Sequence, residues 1–256
     1  METVVFLPGY LAPPAGFRSL AGALRPHQTL ELGRHPSPAG ALEAWRGQVP
    51  PNAHLAAFAE AAWPAAQLAA ETQARSLILF SPILRADAAL KSRLEALRLA
   101  HQNGQFAQAA TPWMFGAFFL EQGQEPIAYW AEEVGSLAVG EWLGALHGLG
   151  DGRKHLRRLE CPVLVVAGAE DAFTPLRYAQ EVVDWTPLNP NGLGAVRVSM
   201  EGCGHLAPWE NPLEAANLLE GFVTGADSVG GSSPRLELNV SRGQRGATED
   251  GENSSR

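Results

Sequence analysis

Cysteine is scarce in this chain, with Cys161 and Cys203 the two thiols among 256 residues. Two thiols make neither a disulfide framework nor a four-ligand zinc site, so no metal and no cofactor is implied, and a reducing cytoplasm suits both as free thiols. Basic residues are also few, 19 Lys and Arg against 27 Asp and Glu, for a formal net charge of -8. That is the wrong sign for a phosphate backbone, and nucleic acid is not an expected partner. Long apolar runs are missing too: none reaches the ~18 residues of a membrane-spanning helix. The opening Met1-Glu2-Thr3-Val4-Val5-Phe6-Leu7-Pro8-Gly9 lacks the basic start and long apolar stretch of a signal peptide. The expectation is a soluble cytoplasmic protein with no membrane partner.

What is present is 46% hydrophobic residues at an 18% charge content, a composition able to bury one large α/β core. Short aliphatic or β-branched runs at 3–7, 28–32, 53–58, 76–81, 163–167 and 195–200 read as strands. Ala- and Leu-rich stretches at 16–24, 39–48, 60–71, 176–184 and 212–223 carry helical spacing between them. The alternation predicts βα units on a mostly parallel sheet of about six strands with helices on both faces.

From Ile83 to Leu149 the alternation stops and the sequence reads as helical, with Trp113, Phe115, Phe118, Phe119, Trp130 and Trp142 among its apolar positions. The domain reading is therefore a core of residues 1–82 and 150–225, a helical insertion at 83–149, and a tail at 226–256. An insertion after the fourth strand lies over the C-terminal strand ends, where open α/β sheets bind ligands. Its aromatics serve as ordinary helix core or as pocket lining. The tail, rich in Gly, Ser, Arg and Glu, holds too few large apolar side chains to offset the entropy of ordering, and is expected to be disordered.

Two post-strand loops carry the candidate chemistry. Gly202-Cys203-Gly204-His205 frees an imidazole to project into a cleft, and Gly168-Ala169-Glu170-Asp171 places a carboxylate just past a strand end. His205 and Asp171 on neighbouring loops would act as general base and orienter. With these loops, the Leu7-Pro8-Gly9-Tyr10 turn and the strand-elbow-helix of 53–71, the chain resembles the α/β-hydrolase fold family over residues 3 to about 223, lid-bearing esterase and lactonase-like members included. The resemblance implies a Ser-His-Asp triad, a lid at 83–149, a small apolar or ester-like substrate, and oxyanion donors from the backbone amides of Tyr10 and Glu60.

The sequence departs from that family at the nucleophile. The family writes its elbow Gly-x-Ser-x-Gly, and here Ala57, Ala59 and Ala61 take the three positions, with Ala59 where the serine belongs. In a worked protease case, losing the serine costs about 10⁶ in turnover. The two added Cβ atoms are expected to relax the strained turn. A relaxed turn would misplace the Glu60 amide and leave a carboxylate at the mouth of the hole. Ser81, Cys203 and Glu60 are the alternative nucleophiles. Asp171 with His205 is either an inherited structural bond or a working acid-base pair. Three readings follow: a nucleophile-deficient homologue that binds a small ligand, with no or weak catalysis; an active ester or lactone hydrolase or lyase using His205 with Asp171; and a scaffold with a vestigial cleft.

Overall fold

The computed structural model describes residues 3–24, 27–189 and 192–228. Six strands form one sheet: β1 Thr3–Leu7, β2 Gln28–Glu31, β3 His54–Phe58, β4 Ser76–Phe80, β5 Val163–Gly168 and β6 Ala195–Met200. Each differs from its sequence expectation by at most one residue at one end. The order is β2-β1-β3-β4-β5-β6 and every neighbouring pair is parallel.

The register explains why the central strands β1, β3, β4 and β5 are mainly aliphatic. Val5, Leu55, Leu77 and Val163 form one row across the sheet, and Phe6, Ala56, Ile78 and Leu164 form the next. Successive rows point to opposite faces, and both faces are covered. The row of Val5 belongs to a core with Trp45, Leu68 and Val182. The row of Phe6 belongs to a second core with Leu20, Trp130, Trp142 and Phe222. With both faces dry, these four strands lack polar alternation, whereas the edge strand β2 is exposed along its length and β6 is only partly buried and alternates Val196, Arg197, Val198 and Ser199.

The helices are α1 Pro14–Ala23, α2 Pro38–Trp45, α3 Ala62–Glu71, α4 Ala88–Gln102, α5 Phe106–Met114, α6 Ala117–Gln122, α7 Gln124–Gly135, α8 Val139–His147, α9 Arg153–Leu156, α10 Arg177–Trp185, α11 Ala207–Glu210 and α12 Pro212–Ser228. Between β3 and α3 stands one 3-10 turn, Ala59–Ala61, where the sequence predicts helix from Glu60. Pro64 sits in the first turn of α3, where an N–H has no intrahelical acceptor and proline is tolerated. Helix α12 runs to Ser228, beyond the expected end at Val223, so residues 226–228 are helical rather than tail. The rest of the expected tail, 229–256, lies outside the described residues.

Helices α4 to α8 occupy the stretch between β4 and β5. Both stems of this insert meet at one corner of the sheet. Gly152 N–H donates to Leu84 O at 2.8 Å, and Trp63 Nε1 donates to Gly150 O at 3.2 Å. Arg85, on the entering stem, forks onto Glu181 of α10, and Tyr178 of α10 donates to Asp87 Oδ1 at 2.5 Å. On the leaving stem, Arg153 pairs with Asp151, and the guanidinium groups of Arg153 and Arg157 lie 4.4 and 4.5 Å from the Trp185 ring centroid.

Candidate active site

The loops after β5 and β6 are laced together before any side chain meets another. Ala169 N–H donates to Met200 O at 2.9 Å, and Glu170 N–H donates to Cys203 O at 2.9 Å. A Cβ on Gly168 would fall 2.1 Å from Gly204 O, so that approach requires glycine. The lacing sets Asp171 Oδ2 2.9 Å from His205 Nδ1. Thr174 completes the cluster: its N–H donates to Asp171 Oδ1 at 2.6 Å, its hydroxyl donates to Oδ2 at 2.8 Å, and its Oγ1 lies 2.9 Å from His205 Nδ1. The network is satisfied when Nδ1 carries the imidazole proton and donates it to Asp171, which leaves Nε2 with its lone pair. Phe58 and Phe173 flank the ring edge-on, with centroids 5.5 and 5.1 Å away. Asp171, Thr174 and His205 are all buried.

Across the sheet edge, β3 enters the elbow. Ala59 adopts φ +50°, the left-handed region that an alanine occupies at a cost of about 1–2 kcal/mol. The sharp turn expected to relax has therefore kept its backbone. Room for it comes from Gly9: a Cβ there would lie 2.9 Å from Phe58 O and 3.2 Å from Ala59 Cβ. Ala57 and Ala61 join the core on the α2–α3 side, whereas Ala59 belongs to the opposite core. The two extra methyls are absorbed away from the turn, which is why they leave it intact. Ala59 O also accepts from Ile83 N–H at 2.9 Å.

The second correction concerns Glu60. Its side chain does not stand at an open mouth; it turns back onto the first loop. Tyr10 N–H donates to Glu60 Oε1 at 2.5 Å, and the Glu60 N–H lies near the same carboxyl. Of the two N–H groups expected as oxyanion donors, that of Tyr10 is thus bound by the Glu60 carboxyl. Burial pushes the Glu60 pKa up, while these two N–H groups and the nearby Trp142 indole pull it back. Trp142 Nε1 faces the carboxyl without a hydrogen bond of ordinary geometry and is otherwise unpartnered.

The other proposed nucleophiles are committed elsewhere. The Ser81 hydroxyl donates to His205 O at 2.8 Å and is buried, so it braces the histidine loop. Cys203 is buried, and desolvation together with surrounding carboxylates raises its pKa to about 12, far from a thiolate at neutral pH.

The insert closes the site. Ala138 N–H donates to the Tyr10 hydroxyl at 2.9 Å, and Trp130 Nε1 donates to Leu11 O at 3.0 Å. Leu206 N–H donates to Met114 O at 3.0 Å. Trp142 stacks on Phe173 at 6.4 Å, and Phe115 meets Trp130 and Trp209. Tyr10, Ala59, Glu60 and His205 are accordingly 3–7% exposed. The insert leaves these four residues buried, with Trp142 facing Glu60, whereas Phe118 is 69% exposed. An apolar cavity of about 20 Å³ lies beside the site, lined by Phe17, Phe58, Leu206 and Trp209 among others.

Among the described residues no helix is long and apolar enough to cross a membrane, and no group of three or more His, Cys, Asp or Glu could hold a metal ion.

Two features escaped the sequence reading, the role of Thr174 and the direction of the Glu60 side chain. Thr174, three positions after Asp171, has the spacing of an Asp side chain capping its own loop, a legible signal. The inward turn of Glu60 has no one-dimensional signature, because it depends on the left-handed conformation of the residue before it.

No protein-family model and no curated protein matches the chain. Solved structures do. An α/β-hydrolase enzyme from a Medee basin deep-sea metagenome library aligns with TM-score 0.72 at 15% identity, covering 93% of this chain and 92% of its own. A thermophilic esterase from Thermogutta terrifontis aligns with TM-score 0.71 at 16% identity, over 88% and 90%. The enol-lactonase from Burkholderia xenovorans aligns with TM-score 0.68 at 15% identity, over 89% and 91%. At these identities the likeness is one of fold, and the chain has the α/β-hydrolase fold.

Proposed function

We propose that this α/β-hydrolase-fold chain is a nucleophile-deficient homologue that binds a small, partly apolar or ester-like molecule beneath its helical insert, with no or only weak catalysis. The observation that carries this reading is the pairing of Ala59, held at φ +50°, with the Glu60 carboxyl bound by Tyr10 N–H. A methyl group cannot attack a carbonyl. A carboxyl bound to the Tyr10 N–H competes with a developing oxyanion for that donor and opposes it by charge. Two structures of like fold are named an esterase and an enol-lactonase, which favours an ester- or lactone-like ligand here. Binding requires the insert to lift, since the site residues are buried. Two buried free thiols fit a reducing compartment and favour a cytoplasmic protein.

A second reading has its own support. The Asp171–Thr174–His205 cluster is fully hydrogen-bonded and leaves Nε2 free, which is what a general base requires. On this reading the protein is a hydrolase or lyase whose base is His205 and whose orienter is Asp171.

One experiment separates them. The wild type and His205→Ala are assayed on a panel of activated short-chain esters and lactones, and binding of the same compounds is followed by tryptophan fluorescence. Saturable binding with no turnover beyond background supports the non-catalytic reading. Turnover abolished by His205→Ala supports the second and overturns the first. Neither binding nor turnover removes both and leaves the vestigial-cleft scaffold.

A further inference from the structure

Three tryptophans, Trp45, Trp130 and Trp142, are no more than 2% exposed. A buried indole has one N–H to satisfy and no water to satisfy it with, so it finds an acceptor in the protein. Trp45 Nε1 donates to Gly33 O at 2.9 Å, and Trp130 Nε1 donates to Leu11 O at 3.0 Å. Trp142 departs from this pattern: its Nε1 is sealed from solvent and has no hydrogen-bond partner of ordinary geometry. The ring is nevertheless well fixed, stacked on Phe173 at 6.4 Å and edge-on to Phe106 at 6.4 Å. The unpaired donor thus belongs to a held side chain, not a loose one.

Its place gives the donor meaning. The Phe173 ring beneath the indole lies 5.1 Å from the His205 ring, centroid to centroid, and the indole faces the Glu60 carboxyl. The backbone donor on that side, Tyr10 N–H, is already bound by Glu60 Oε1. An indole N–H without an acceptor therefore stands over the same site as the Nε2 lone pair of His205.

We propose, resting on the ligand-binding reading above, that Trp142 Nε1 is the donor that recognises the ligand, and that the group it takes is a neutral carbonyl oxygen such as that of an ester or lactone. Two other ligand groups fit worse. An ammonium group offers only donors and leaves the indole unpaired. A carboxylate can accept the bond, but it brings a further acid against the carboxyls of Glu60 and Asp171. Helix α8 carries the indole, so the bond forms as the insert closes and ties the ligand to the insert. In the empty closed form the buried N–H goes unpaired. A carbonyl oxygen relieves that penalty and a ligand of the same shape without the oxygen does not, a difference on the order of tenfold in affinity.

The test uses the full chain with cyclohexanone and methylenecyclohexane, two probes of one shape that differ by oxygen against CH₂. Neither is an ester, so binding is read apart from turnover. Affinities are measured by calorimetry for the wild type and for Trp142→Phe, which keeps an aromatic ring and loses the donor. The ratio of ketone to alkene affinity should be on the order of tenfold higher in the wild type, because the cycle cancels the different hydration of the two probes. The Trp142 indole proton, assigned by NMR through its contact with Phe173, should move downfield with the ketone and not with the alkene. An equal ratio in both proteins, or an indole proton indifferent to bound ketone, would overturn the proposal. Should Trp142→Phe fail to fold, the indole proton of the wild type decides alone. If the wild type binds neither probe, the ligand-binding reading falls and the proposal falls with it, a result distinct from equal ratios.

Discussion

The two sides of the candidate site are built differently. On the β5–β6 side, Asp171, Thr174 and His205 keep a complete hydrogen-bond network between laced loops. On the β1–β3 side a strained turn stands, with φ +50° at Ala59 and Gly9 opposite, and the side chains there are a methyl and a carboxyl turned onto the Tyr10 amide. Backbone geometry and side-chain chemistry are thus separable: the strand and helix on either side hold the turn whatever group it presents. The strain at Ala59 remains because relaxing it would disturb β3, which is buried along its whole length between β1 and β4.

If this contrast is right, restoring chemistry needs side chains and no backbone change. Ala59→Ser alone should leave ester hydrolysis near background, because the Glu60 carboxyl still binds the Tyr10 N–H. The double change Ala59→Ser, Glu60→Met should exceed it by about 10²–10³-fold, the worth of an oxyanion donor regained. Burst kinetics with an activated ester measure both variants, and equal rates would show that the Glu60 carboxyl is immaterial. Glycines at positions 57 and 61 should add nothing further, since the turn is already formed.

Gly9→Ala attacks the backbone half directly. The added methyl meets Phe58 at 2.8 and 2.9 Å, and overpacking of this kind should cost about 2–3 kcal/mol. Chemical denaturation would record it, and a loss under about 0.5 kcal/mol would mean that the elbow has slack. Asp171→Asn tests the other side. Replacing a charged acceptor of two Thr174 bonds should cost about 1.5–2 kcal/mol; an unchanged midpoint would show the cluster to be a bystander in stability. Ala59→Gly should have the smallest effect, a gain of about 0.5 kcal/mol. Relief of the left-handed alanine is there partly cancelled by the greater freedom of the unfolded glycine, and a clear loss would show that the Ala59 methyl contributes more than its turn costs.

How much of this was legible beforehand follows from the range of the interactions. Doubly buried parallel strands advertise themselves as aliphatic runs, so Val163 to Ala167 and its counterparts could be read almost to the residue. Glycines that permit loop-on-loop contact, Gly168 and Gly204, marked Asp171 and His205 for the same reason. The state of the elbow was misjudged. Counting Cβ atoms at Ala57 and Ala61 says nothing of which core receives them, and that is settled by α2 and α3. Nor does the sequence disclose that the insert covers Tyr10, Ala59, Glu60 and His205, because the choice between helix core and pocket lining depends on how the insert is seated.

That seating rests on a feature of the stems. The entering and leaving strands of the insert are pinned side by side at one corner, by Arg85 on Glu181, Tyr178 on Asp87, and Arg153 and Arg157 on Trp185. Its contact with the histidine loop is made at the far end, through Gly116. The insert is thus held at its stems by α10 and along its span by the bonds at Met114, Gly116, Trp130 and Ala138, so mutations at Arg85 or Trp185, remote from any reacting group, would act on access to His205 as a bent hinge acts on a door.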